Sequence, residues 1–275
     1  MARSESGESV LTRAMRILRL FTAAAPVLTV SEISRRADLP VATAHRLVGE
    51  LVDLGALDRT DGKGVRMGVQ MWELASRSSR TFDLRQAAMP FMEDLLSAVR
   101  HHTQIGVLEG TDVLVLERLS ARGAVANIAR IAGRLPAHAI STGLVLLAYS
   151  PPEMWEKVLA GPLERHTPGT VTDPAALRRL LAQIRQDGHV VAPEMITVGS
   201  TGIAAPVRDD RGDVTAALSV VVPSSEPHPR ACVPALLAAA RGISRTLGAP
   251  APGERPVRTR GAVRARPGAA PIPIE

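Results

Sequence analysis

Residues 29–55, TVSEISRRADLPVATAHRLVGELVDLG, decide the fold of the first third of this chain. Thr29 or Ser31 can cap a short helix running to about Ala37, with Glu32 in its first turn where the helix dipole favours an acid. Asp38-Leu39-Pro40 predicts a tight turn, because the residue before a proline avoids the α region. A second helix is expected from Val41 to Leu54, closed by Gly55. On its wheel Ala44, Leu47, Val48 and Leu51 share the core face. Ala42, Arg46 and Glu50 lie opposite, flanked by Thr43 and His45 near the N-terminal end. Two helices joined this way predict a helix-turn-helix, whose second helix enters the major groove of duplex DNA.

The flanks fit that reading. Upstream, residues 10–22 place Val10, Ala14, Ile17, Leu18 and Phe21 on one face, the pattern of a supporting amphipathic helix. Downstream, LDRTDGKGVRMG (57–68) reads as a wing: strands at Leu57 and at Val65–Met67 joined by Asp61-Gly62-Lys63-Gly64. Arg46 is positioned for guanine, and Thr43 and His45 for bases or phosphates. Thr29, Ser31, Arg35, Arg59, Lys63 and Arg66 are the expected backbone contacts.

Composition agrees. The 275 residues are 45% hydrophobic and 22% charged, enough for two cores, and the net charge of +6 suits a polyanionic partner. Nearly all that positive charge is arginine, since Lys63 and Lys157 are the sole lysines. The low aromatic content, 2%, argues against single-strand stacking. Cys232 is the single cysteine, which excludes an internal disulfide and a cysteine-based zinc site. The charged N-terminus lacks a signal-peptide pattern and no run is long enough to span a bilayer, so a cytoplasmic protein without membrane attachment is expected.

Four regions follow: 9–75, a winged helix-turn-helix; 76–100, linker helices at about Met71–Ser78 and Leu84–Arg100, with Pro90 kinking or restarting the second; 101–248, an α/β domain; and 249–275, a Pro/Arg-rich tail expected to be disordered and solvated. In the α/β domain, β-runs are expected at Gln104–Leu108, Val113–Leu119, Gly202–Val207 and Ala216–Val222. Helices are expected at Ser141–Ala148, Pro152–Leu159, Asp173–Gln186 and Val233–Thr246. The fold class is α+β. No catalytic, metal or cofactor set emerges: Ser141, Ser200 and Ser219 lack a G-x-S-x-G elbow, and His101, His102, His138 and His189 have no metal-ligand spacing.

The stretches LTRAMRILRLF, LTVSEISRRADLPVATAHRLVGELVDLGALDR, AGRLPAHAISTGLVLLAYSP, LRRLLAQIRQDGHVV and GIAAPVRDDRGDVTAALSV resemble the IclR-type bacterial transcription regulators over roughly residues 9–248. The resemblance implies a winged helix-turn-helix, a linker helix and a GAF-like effector domain, assembled as a homodimer or homotetramer on a double-stranded, palindromic operator. It implies a ligand-responsive regulator, a repressor by expectation, and no enzyme. It also implies a pocket for a small organic effector at Ser141, Thr142, Gly143, Gly202, Ile203 and Ser219, where the start of a helix offers N–H groups to an anion. Leu144, Ala192, Gly202 and Val221 stand where relatives carry a basic residue, aspartate, cysteine and serine. A roomier, more apolar pocket is therefore expected, suited to a larger organic molecule such as an apolar acid. Two rival readings are a DNA-binding protein with no ligand response and a small-molecule enzyme with an accessory wing.

Overall fold

The computed structural model describes residues 8–250 apart from Ala23, Ser79 and Pro227. The tail arginines Arg255, Arg258, Arg260, Arg264 and Arg266 thus lie outside the described residues. Two compact units divide between Asp83 and Leu84.

The first unit begins with α1 (Val10–Leu18), where Ser9 Oγ accepts from Thr12 N at the N-cap. It stops short of the expected Thr22, because Leu20 N and Phe21 N turn back to Ile17 O and Leu18 O. Strand β1 (Val27–Thr29) leads into α2 (Val30–Arg36). Thr29, not Ser31, caps α2: its Oγ1 accepts from Glu32 N, and Glu32 Oε2 accepts from Thr29 N at 2.8 Å, a capping box. That donation from Thr29 holds the Glu32 carboxyl below the usual range. In the turn, Asp38 takes φ +50° and Ser34 Oγ donates to Leu39 O at 2.7 Å. Helix α3 (Val41–Asp53) buries Ala44, Leu47, Val48 and Leu51, the face its periodicity predicts. Strands β2 (Leu57–Arg59) and β3 (Gly64–Met67) pair antiparallel as the wing. β3 also pairs with β1, giving a three-stranded sheet in the order β1-β3-β2. Ile17, Leu28, Ile33, Leu47, Leu57 and Val65 knit helices and sheet into one core.

Helices α4 (Val69–Ser78) and α5 (Arg80–Val99) follow. Pro90 lies inside a continuous α5, so the helix does not restart there. One missing N–H is outweighed where Leu84, Ala88, Met92 and Leu95 bury a stripe of the helix and the proline ring stays exposed.

The second unit is a six-stranded antiparallel sheet in the order β6-β5-β4-β9-β8-β7. Its strands are β4 (His102–Glu109), β5 (Asp112–Ser120), β6 (Arg134–Pro136), β7 (Val190–Pro193), β8 (Ser200–Arg208) and β9 (Val214–Pro223). One face packs on α5 and the C-terminal helix α9 (Val233–Thr246), through Ile105, Ile203, Leu218, Val220, Met92 and Ile243. The other face carries α6 (Ser141–Tyr149), with α7 (Pro152–Ala160) and α8 (Pro174–Asp187) outside it. Residues 141–148 of α6 are all buried, as befits a helix that is apolar around its circumference. It sits very close to the turn before it. A Cβ on Gly143 would lie 2.2 Å from Ala137 O and 2.4 Å from Ala137 Cα, so glycine is required there by contact.

Candidate DNA interface and effector cavity

The exposed side of α3 and the wing forms one candidate interface. The N-cap of α3 is Pro40, which offers no side-chain hydrogen bond, and the first turn holds no acid. Its leading N–H groups are therefore open to a phosphate, as at other helix N-termini that bind anions. His45 and Arg46 are exposed and Thr43 is half-buried. Arg46 Nη1 meets Glu50 Oε1 at 2.5 Å, one turn along, with both groups about half exposed. Ser31, Arg35, Arg59, Lys63 and Arg66 are exposed, and Arg66 Nε lies 3.9 Å from Asp58. Thr29 differs from these: it is half-buried and its hydroxyl donates to Glu32.

In the second unit a cavity of about 40 Å³ lies between the sheet and the N-terminus of α6. A strand row forms its floor, because Ala192, Gly202 and Val221 are paired across β7, β8 and β9. Ser141, the first residue of α6, stands over Gly202: a Cβ there would come within 2.6 Å of Ser141 Oγ. Ser141 is 4% exposed, and its hydroxyl has no hydrogen-bond partner among the described residues. Gln104, on β4, is 5% exposed and also lines the cavity. Its Oε1 accepts from Asn127 Nδ2 at 3.1 Å, while its Nε2 has no partner among the described residues. Leu135, Ile140, Met195, Ile196 and Ile128 line the cavity together with Asn127, Thr197 and Ser200, and no charged group is among them.

The expected effector residues separate into three places. Ser141 and Gly202 line the cavity. Thr142 and Ser219 are buried and hydrogen-bonded to each other at 2.9 Å, bracing α6 against β9, while Gly143 packs on Ala137. Ile203 faces the opposite side of the sheet, fully buried among the α5 and α9 contacts. Strand alternation explains this, since neighbours 202 and 203 must point to opposite faces. The lining mixes apolar side chains with the uncharged polar Gln104, Asn127, Ser141, Thr197 and Ser200, and Ala192, Gly202 and Val221 are all part of it.

Two irregular segments make the remaining walls. Residues 121–133 are tied down by Gln104, by Arg118 Nη1 donating to Ala129 O at 2.6 Å, and by His102 Nε2 against Val125 O at 2.6 Å. Burial lowers the His102 pKa, with Arg118 and His101 adding to the effect against the Val125 bond. The other wall, residues 194–199, is clasped from outside: Thr170 Oγ1 donates to Met195 O at 2.6 Å and Thr167 Oγ1 to Glu194 O. Sequence reasoning did not single out Gln104, Asn127, Ile128 or Met195. Gln104 was visible as a lone amide in an apolar strand.

Two further histidines have structural settings, whereas His101 Nδ1 is buried without a hydrogen-bond partner. His138 is buried with Nε2 3.0 Å from Glu164 O, and His189 Nδ1 is 3.0 Å from Asp187 O at the surface. Among the described residues no group of three His, Cys, Asp or Glu is arranged to hold a metal, and no helix is long and apolar enough to cross a membrane.

The model of the bacterial transcriptional regulator IclR C-terminal domain matches residues 76–245, and that of the IclR helix-turn-helix domain matches residues 10–61. The chain belongs to the IclR family of bacterial transcription regulators. It is 51% identical to an IclR homologue from Microbacterium hydrocarbonoxydans, solved in complex with 4-hydroxybenzoate; the match covers 87% of this chain and 99% of that one, with a TM-score of 0.83. It is 32% identical to the HTH-type transcriptional regulator BhcR of Paracoccus denitrificans, covering 88% of each. It is 29% identical to the HTH-type transcriptional repressor AllR of Escherichia coli, covering 81% of this chain and 83% of AllR. The α+β architecture, with its helix-turn-helix followed by an α/β effector domain, is that of the family.

Proposed function

We propose that this IclR-family regulator represses transcription from a palindromic operator and responds to an apolar aromatic carboxylic acid of about the size of 4-hydroxybenzoate. The observation that carries the ligand class is the cavity. A helix N-terminus, the unpartnered Ser141 hydroxyl and the Gln104 amide supply polar contacts, and Leu135, Ile140, Met195 and Val221 surround them with apolar surface. A carboxylate is favoured at the start of α6 by the N–H groups of Ser141, Thr142 and Gly143, and a ring by the apolar wall. The ligand of the 51% identical Microbacterium protein has both parts. Thr142, Gly143 and Ser219 act by fixing α6 over the sheet, and Ile203 has a packing role. The lining holds no acid–base pair, which supports binding without turnover.

For DNA, Thr43, His45 and Arg46 read bases from α3. The α3 N-terminus, Ser31, Arg35, Arg59, Lys63 and Arg66 hold phosphates, and Thr29 contributes by capping α2. Exposed Val69, Trp72 and Leu74 on α4 support self-association as a homodimer or homotetramer, which a palindromic operator requires. Such a protein works in the cytoplasm, where its operator is.

Isothermal titration with 4-hydroxybenzoate, benzoate and pyruvate tests the ligand class. Saturable one-site binding of the aromatic acids, lost on Ser141→Val, is expected; binding of pyruvate alone would overturn it.

A further inference from the structure

The start of α3 carries two apolar side chains that the fold does not use. Val41 is 63% exposed and Ala42 is exposed, and neither belongs to the core formed beneath the same helix by Ala44, Leu47, Val48 and Leu51. A β-branched residue is a modest helix former, and the first turn of a helix favours polar caps and acids. Here Pro40 gives no side-chain cap and the turn holds no acid. The stability of the chain thus gives no reason for apolar groups at 41 and 42. Their position gives one, because the N-terminal residues of a recognition helix meet base edges in the major groove. Helical spacing puts Ala42 one turn before Arg46 and Val41 one turn before His45, in two adjacent rows on the exposed side. Four residues rise about 6 Å along the axis, close to two base-pair steps of about 3.4 Å.

We propose that Val41 and Ala42 determine operator specificity by packing against thymine C5-methyl groups, so that each half-site carries a thymine within about two base pairs of the guanine read by Arg46. This rests on the reading of α3 as the base-contacting helix given above. The C5-methyl is the apolar feature of the major-groove floor, and thymine alone among the four bases carries it. Neither side chain has a donor or acceptor with which to tell bases apart, so apolar burial is what they can sense. A cytosine in the same place brings no methyl and presses its amino donor against hydrocarbon. A purine likewise presents polar atoms there that lose water without gaining a partner. The uncapped N–H groups of the same turn anchor the neighbouring phosphate, which fixes how closely the two side chains approach the groove floor.

The test uses the full-length chain and an operator selected from a random DNA pool, in which each thymine in turn is replaced by deoxyuridine. That change removes the methyl and leaves every hydrogen-bonding atom in place. Fluorescence anisotropy at fixed salt compares the unsubstituted chain with the double variant Val41→Ala, Ala42→Gly, and thermal unfolding establishes that the variant is folded. In the unsubstituted chain, at least one thymine per half-site is expected to lose about fourfold in affinity on replacement, the effect of one buried methyl. In the double variant the same replacement should change affinity by less than about twofold, with the guanine preference at the Arg46 position kept. The comparison is a ratio within each protein, so a change in the stability of α3 does not enter it. A selected site without thymine in that window, no effect of deoxyuridine at any thymine, or the same ratio in both proteins would overturn the proposal. If Arg46→Ala still abolishes the guanine preference in that event, the reading of α3 stands without it. If Arg46→Ala weakens binding to every sequence equally and no base near α3 is preferred, that reading fails and the proposal falls with it.

Discussion

Replacing Arg46 with alanine is the sharpest perturbation of the DNA-reading surface. In the free protein its guanidinium is engaged by Glu50 at 2.5 Å, with the two side chains 54% and 49% exposed. An exposed i, i+4 pair of this kind contributes only about 0.3–0.5 kcal/mol. A bidentate guanine contact supplies about 1–3 kcal/mol of discrimination against the wrong base. Leaving Glu50 to reach guanine is therefore favourable, and Arg46→Ala should cost a net ~0.5–2.5 kcal/mol, roughly a 2- to 60-fold loss in affinity. Fluorescence anisotropy measures it, with an operator selected from a random DNA pool and a set of single-base variants at fixed salt. The loss should appear on the selected operator and vanish on operators already altered at one position. Glu50→Ala should tighten the same complex by about twofold, since it frees Arg46 beforehand. A uniform loss on every sequence, with the salt slope reduced by about one, would reduce Arg46 to a phosphate contact. No loss at all would place it outside the interface.

Three further outcomes are expected. Gly143→Ala drives a Cβ into the Ala137 backbone, so it should cost about 1–3 kcal/mol of overpacking and lower Tm by roughly 3–10 °C; unchanged thermal unfolding would refute the close contact. His102 is held neutral by burial, its pKa lowered from the ordinary imidazole value of about 6.5. The unfolded chain therefore binds this proton more readily. The stability is present above about pH 6.5 and is lost as pH falls toward the depressed folded-state value, so denaturant unfolding should weaken below neutrality. His102→Gln should flatten that slope, and an identical slope would exclude His102. Gly202→Ala sets a methyl against Ser141 Oγ inside the cavity and should weaken binding of 4-hydroxybenzoate with little change in Tm; undiminished affinity would move the ligand elsewhere.

Much of the DNA-binding unit was legible because a single periodicity governs each element. The four apolar positions of α3 predict its buried face, and the Asp-Gly-Lys-Gly turn marks the wing. β1 was not legible, since three residues carry too little alternation, and Thr29 read only as a cap. β6 and β7 were missed for the same reason, being three and four residues long. The effector cavity was harder still. Ser141 and Gly202 were found through resemblance, whereas Ile203 was grouped with them although strand alternation sends it to the other face. Gln104, Asn127 and Met195 meet across about ninety residues of sequence, and only the sheet order brings them together. Pro90 shows the opposite case: a residue that locally favours a helix start sits within one helix whose buried stripe continues past it.

The claim that DNA binding answers to the effector is tested most directly by operator affinity with and without saturating 4-hydroxybenzoate, measured at the same ionic strength. Typical couplings between ligand sites correspond to about 5–150-fold, and a change in that range, abolished by Ser141→Val, is predicted. Tight ligand binding together with an unaltered operator affinity would contradict it.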